Sequence, residues 1–298
     1  MRVVTFAGAD GPHLGTVVGD EVADITAAAP ELPRDLATLL AGPGLDALRR
    51  VSAPHLGLAE VALLAPIPRP PKFLAIGLNY RDHVAETGRE PPAHQLWFNK
   101  QSTCVIGPGA PIEVPRASEQ VDYEGELGIV IRRRCRHVAA GRAREVVAGW
   151  LVVDDVSVRD WQYRSPTFTM GKSWDTHGPI GPWVVSDDEL GDPHDLRIRT
   201  TVNGELRQDG CTADMVFDCW EMIEHLSTAF TLEPGDIIST GTPAGVGMAR
   251  RPPAWLRSGD TVRIEIDRIG ALENPVIDEP DRPRVGLPRR PGGASDQT

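Results

Sequence analysis

Residues 121–160 read VDYEGELGIVIRRRCRHVAAGRAREVVAGWLVVDDVSVRD, and two apolar runs inside them decide what kind of fold the chain can adopt. GIVI and WLVV are short, rich in β-branched residues and bounded by glycine or charge, the pattern of interior strands. Strand parity sets Asp122, Glu124 and Glu126 on one face and Tyr123, Leu127 and Ile129 on the other. Like charges side by side repel, and burying them unpaired is costly. A solvated face would relieve the conflict. Gly125 and Gly128 argue instead for an interior element that other parts of the chain approach closely. A hard divalent cation then resolves the repulsion. The second run ends in Asp154 and Asp155, whose parity lets only one of them share a site with the glutamates. Two glutamates and one aspartate would leave positions on Mg²⁺ or Mn²⁺ open for water and substrate. There is no dense His/Cys cluster, which disfavours zinc. His137, His177 and His225 read singly as surface or core-edge residues.

Outward from this stretch the chain remains strand-rich. KFLAIGLNY, QLWFNK, PIEVP, GPWVVS, DLRIRTTVNGEL, DIISTGT and TVRIEID all read as strands, and the Asn-Gly pair of TVNGEL marks a hairpin. The clearest helix spans 214–230, with Met215, Cys219, Met222, Ile223 and Leu226 as its apolar stripe and Thr212 or Asp214 as cap. Strands do not alternate with helices, so a doubly wound sheet is excluded in favour of an α+β fold. MRVVTF, HLGTVVG and EVADIT read as three short strands of a small leading module, followed by the short helical stretches DLATLLAG and LDALRRV. APIPRPPKF then punctuates the chain as a stiff spacer. The expected organisation is a small N-terminal domain over 1–65, a catalytic body over 66–277 and a Pro/Gly/Arg-rich tail over 278–298 that cannot build a core.

Composition bounds the function. The 298 residues carry 31 Lys+Arg against 42 Asp+Glu, a net charge of −11, which opposes general nucleic-acid binding. No apolar run approaches a membrane span, and the first residues lack a secretory signal, so the cytoplasm is expected. Four scattered cysteines read as free thiols. Only Lys72, Lys100 and Lys172 are lysines among the 31 basic residues. Where arginine is so preferred, a surviving lysine marks a position that needs a compact point charge.

Three further segments carry chemistry. In GLNYRDHVAE (77–86), a helix would set His83 and Glu86 at i and i+3, a carboxylate-oriented imidazole suited to act as general base. MGKSWDTHGPIGPW (170–183) presents Lys172 from a stiff loop. STGTPAGVG (239–247) is glycine-rich but lacks the nucleotide-binding signature, and its N–H groups with Thr240 or Thr242 suit a carboxylate.

Taken in order, these segments resemble the fumarylacetoacetate hydrolase family over about residues 70–277. GLNYRDHVAE is similar to its G-x-N-Y-x-x-H-x-x-E segment, LWFNKQST to F-x-K-P, DYEGELGIVI to its paired-glutamate strand and VDDVSVRDWQ to N-D-V-[ST]-x-R-D. GKSWDTHGPIGP and GTPAGVG complete the series. The resemblance implies a mixed β-sheet roll behind a small N-terminal domain, a Mg²⁺ or Mn²⁺ ion on Glu124, Glu126 and Asp155, and a homodimer. It further implies His83, Glu86 and Lys172 as catalytic residues, with Gln162 and Thr242 at the substrate and Lys100 either at the substrate or bracing the metal region. The reaction implied is hydrolysis of a carbon–carbon bond in a 2,4-dioxo acid. Isomerisation, decarboxylation or dehydration of a related 2-oxo acid is the alternative. Gln101 in place of proline, Asp154 in place of asparagine, Trp174, His177 and the SPTFT stretch at 165–169 depart from the family pattern and leave the particular substrate open. Asp154 in particular is expected to add negative charge.

Overall fold

The computed structural model describes residues 1–281. Of the expected tail, 282–298 lies outside the described residues, while Asp278 still belongs to the strand Gly270–Asp278. The two apolar runs form the centre. Gly125–Ile131 pairs antiparallel with Val147–Asp154, and every residue of both strands is buried. Ile237–Ser239 lies antiparallel on the outer side of Gly125–Ile131 and parallel to Phe73–Gly77, which pairs antiparallel with Leu96–Lys100. On the other flank Val147–Asp154 pairs with Gly178–Ser186, and that strand pairs with Arg2–Gly8 (Arg2 opposite Val185). The leading strands Arg2–Gly8, Gly11–Val18 and Glu21–Asp24 thus extend the central sheet, which counts twelve strands.

A five-stranded sheet packs against this one. It runs Glu205–Cys211, Arg197–Val202, Thr261–Ile266, Gly270–Asp278 and Ile112–Val114, antiparallel but for the last pair. Its hairpin turns at Asn203 and Gly204 with φ of 54° and 79°, the positive pair that the Asn-Gly signal demands. Alternation along the central strands sorts the core. Leu127, Ile129 and Val152 join Ile198, Ile264 and Leu272 of the second sheet. Val130, Leu151 and Val153 face Leu14, Leu36 and Leu39 of the leading segment. Gly125 sits where the sheets come closest, since a Cβ there would lie 2.4 Å from Thr200 Oγ1. The strand-rich α+β architecture expected from the sequence is the one observed.

The main helix is shorter than its apolar period implies. It begins at Cys219 and ends at Ala229, while Thr212–Asp214 forms a separate turn. The physical reason is a closer cap. Asp218 accepts from the N–H groups of Trp220 and Glu221, and Glu221 accepts from the Asp218 N–H in return. Just upstream the Phe217 N–H donates to Asn79 Oδ1, which holds that segment extended. His177 also departs from expectation, for it is fully buried.

Candidate active site and metal centre

The strand Phe73–Gly77 delivers the chain through Asn79 to the helix Arg81–Glu86. Six residues are too few to hold a helix alone, so tertiary bonds must fix it. Asn79 Nδ2 donates to the carbonyls of Phe217 and Thr240, at 3.1 and 2.8 Å. Asp82 accepts from Ala244 N at 3.1 Å, and Glu86 Oε2 accepts from Gly245 N at 2.7 Å. The helix is thereby tied to the glycine-rich loop that follows Ile237–Ser239. Gly245 (φ 107°) must be glycine here, because a Cβ would meet the Arg207 carbonyl oxygen at 2.1 Å. The other Glu86 oxygen, Oε1, lies 3.0 Å from His83 Nδ1. That contact orients the imidazole, whose Nε2 has no hydrogen bond among the described residues.

Opposite stand the carboxylates. One oxygen from each of Glu124, Glu126 and Asp155 falls within 4.8 Å of the others, and all three residues are buried. Glu124 follows the short strand Val121–Asp122 and precedes Gly125–Ile131, while Asp155 follows Val147–Asp154. Asp122 is not part of the group, although strand parity aligned it with the glutamates. The strand is interrupted at residues 123–124, and Asp122 turns to accept from Arg159 Nε at 2.9 Å and from the N–H groups of Gly247 and Met248.

The three ligand candidates are electrostatically unequal. Glu124 is buried, which would raise its pKa, but Arg159 at 2.7 Å and an ion pair with Lys172 hold it far below the carboxylate range. Asp155 receives Lys100 and Lys172, each at 2.6 Å. Glu126 has no ion-pair partner among the described residues. It accepts at Oε2 from Ser239 Oγ (2.5 Å) and Gly241 N (2.9 Å), and burial with the charges of Asp155 and Glu124 pushes its pKa well up. Three hard oxygen donors, one of them short of positive charge and with Oε1 uncommitted, fit a divalent cation. Asp154 turns away to accept from Glu124 N, and burial pushes it up to about 8. Burial therefore works against the negative charge expected of it.

Both walls open on a cavity of about 220 Å³ lined by His83, Glu86, Glu124, Glu126, Gln162, Lys172 and Thr242 among others. Five of the expected site residues thus reach it together with two carboxylates of the triad's three, while Asp155 is not part of its wall. Two expected substrate contacts are otherwise engaged. Lys100 stands behind Asp155, away from the cavity wall, donating also to the Lys172 carbonyl at 2.5 Å, so it braces the triad. The Thr242 hydroxyl donates to the Gly125 carbonyl and accepts from Gln208 Nε2. Gln162 Oε1 accepts from Arg159 Nη1 at 3.0 Å, which leaves its amide nitrogen for a ligand. Arg159 itself was not singled out from the sequence, although it links Asp122, Glu124 and Gln162. Its signal was the Arg-Asp pair closing VDDVSVRD.

Fold and site together define an enzyme built around a carboxylate triad and an oriented imidazole. The model of the fumarylacetoacetate (FAA) hydrolase C-terminal domain matches residues 72–277, and the chain belongs to that family. It is 39% identical over 292 residues to the mitochondrial oxaloacetate tautomerase fahd2 of Xenopus laevis, covering 93% of this chain and 90% of that one. Among solved structures it is similar to a fumarylacetoacetate hydrolase of Exiguobacterium antarcticum (35% identity, TM-score 0.85, 94% of this chain and 100% of that one). It is also similar to the maleylpyruvate hydrolase of Sphingobium sp. SYK-6 solved with manganese(II) and pyruvate (34% identity, TM-score 0.76, 93% and 99% covered). No helix among the described residues is long and apolar enough to cross a membrane.

Proposed function

We propose that this protein is a divalent-metal-dependent enzyme that moves a proton on the carbon beside the ketone of a 2-oxo acid. One observation carries the reading: an imidazole fixed by a carboxylate and a buried carboxylate triad face each other across one small cavity. Mg²⁺ or Mn²⁺ held by Glu124, Glu126 and Asp155 would polarise the 2-oxo group as a Lewis acid. His83 Nε2 is free to take the proton, and Glu86 steadies the imidazolium that results. Lys172, on the same wall as the triad, adds positive charge where oxyanion character develops. Keto–enol exchange is the first reading, because a relative matched over nearly its full length is named an oxaloacetate tautomerase. Hydrolysis of a carbon–carbon bond in a 2,4-dioxo acid is the second. The same His83–Glu86 pair favours it, since it could equally take a proton from water attacking the 4-carbonyl. All residues lining the cavity fall between 76 and 251, so the chemistry is assigned to the 66–277 body, with 1–65 as a small leading domain. A homodimer acting in the cytoplasm completes the proposal, with light scattering as the check on assembly.

The test is a panel of oxaloacetate, acylpyruvates and fumarylpyruvate with Mg²⁺- or Mn²⁺-loaded protein, products being followed by NMR in deuterated buffer. Deuterium entry beside the ketone supports the first reading, and pyruvate plus a carboxylate from an acylpyruvate supports the second. Replacing His83 with alanine is expected to slow the reaction about 10²–10⁴-fold. Metal-loaded protein inert toward the whole panel would overturn both.

A further inference from the structure

The cavity carries four arginine or lysine side chains on its wall: Arg89, Arg159, Lys172 and Arg251. Two of them already have carboxylate partners. Arg159 and Lys172 are buried and engaged with Asp122, Glu124 and Asp155 at the inner end. Arg89 and Arg251 are exposed, and neither has a carboxylate partner among the described residues. Among the described residues the one side-chain hydrogen bond of Arg251 is a long one, 3.4 Å from Nη1 to the Arg250 carbonyl oxygen. Both arginines ride on segments already fixed to the site. Arg89 follows the 81–86 helix, its N–H bonded to the Val84 carbonyl at 3.2 Å. Arg251 follows the turn whose Gly247 and Met248 N–H groups hold Asp122.

In a chain of net charge −11, two exposed guanidiniums on the wall of one cavity, without carboxylate partners among the described residues, suit an anion. Leu96 and Phe98, also on the wall, offer no hydrogen bond from their side chains, so a ligand's polar groups must find their partners elsewhere on it. We propose that Arg89 and Arg251 hold a second carboxylate of the substrate, so that the protein selects dicarboxylic over monocarboxylic 2-oxo acids. This assignment rests on the function proposed above and adds the residues that would set its selectivity. The volume suits it: about 220 Å³ lies below the ~300–1,000 Å³ of pockets for drug-sized ligands and fits a small acid spanning the two ends.

The experiment compares oxaloacetate with 2-oxobutyrate, two four-carbon 2-oxo acids that differ in a terminal carboxylate against a methyl group. Deuterium exchange gives kcat/KM, and calorimetry on the Mn²⁺-loaded protein gives Kd. The native protein is expected to prefer oxaloacetate in both measurements, and added salt should shrink the preference. Arg89→Gln and Arg251→Gln should each lower the oxaloacetate-to-2-oxobutyrate ratio about five- to tenfold, and Arg251→Lys should restore part of it. An equal fall for both acids would mean general attraction of anions and would overturn the subsite, as would an unchanged ratio. Should the native protein turn over neither acid, the proposed reaction fails. The subsite then stands or falls on the calorimetric ratio alone.

Discussion

Glu126 concentrates the conflict between stability and function in one side chain. Burial and two neighbouring carboxylates oppose its charge, while its Oε2 is fixed by Ser239 and the Gly241 N–H. A glutamine can keep an acceptor oxygen on those two donors and removes the repulsion. Glu126→Gln is therefore expected to leave the metal-free protein as stable as before or about 1 kcal/mol more stable. The rise in melting temperature that Mn²⁺ gives the unaltered protein should disappear. Thermal unfolding with and without Mn²⁺ decides this, and a variant that keeps the full Mn²⁺ shift is not missing a ligand. The lysine count foreshadowed the neighbourhood. Lys100 and Lys172 are both buried on Asp155, whereas Lys72 pairs with Asp236 at the start of the body. Chain periodicity read Glu124 and Glu126 onto a shared side, and it failed for Asp122 because parity holds only while a strand is continuous. A break at residues 123–124 lets Asp122 serve Arg159, a partner 37 positions away that no local pattern announces.

At the scale of elements, what could be read was whatever local chemistry dictates. The Asn203-Gly204 turn and the buried central strands declare themselves within a few residues. Strand partnership was not legible. Arg2 lies opposite Val185 because two apolar edges meet after 182 intervening positions, and nothing near either residue encodes that choice. The main helix falls between these cases. Its apolar stripe was visible, but its start was set by competition between caps. Asp214 instead accepts from the Asp82 N–H, and the capping box of Asp218 with Glu221 wins. Asp218→Ala should cost about 1 kcal/mol, since two N–H groups lose their acceptor while the buried face of Cys219, Met222, Ile223 and Leu226 is untouched. Urea unfolding measures this as a lower midpoint at constant slope. A loss below a few tenths of a kcal/mol would mean that packing alone sets the helix start.

For the whole molecule, two histidines, one on the leading hairpin and one just before the strand Gly178–Ser186, pull stability in opposite directions with pH. His13, on the leading hairpin, keeps its proton through Asp10 and Asp24, and its pKa is raised despite partial burial. Its contribution is fully present below the ordinary pKa of about 6.5 and is lost as pH rises through the higher folded value. His177 does the reverse. Its Nε2–H donates to the Glu113 carbonyl at 2.8 Å, Nδ1 has no partner among the described residues, and burial, with the Lys100 charge, brings its pKa down to about 4. Below about 6.5 the unfolded chain binds a proton that the folded chain refuses, so stability falls as pH drops toward 4. At pH 5 the loss is about 2 kcal/mol relative to pH 7.5. His177→Gln removes this proton from the balance while keeping a donor for the Glu113 carbonyl. Denaturant unfolding of both proteins at the two pH values isolates the effect, because all other titrations cancel in the difference. The variant is expected to lose about 2 kcal/mol less than the native protein on acidification. Equal losses would mean that the imidazole finds an acceptor for its second proton inside the fold.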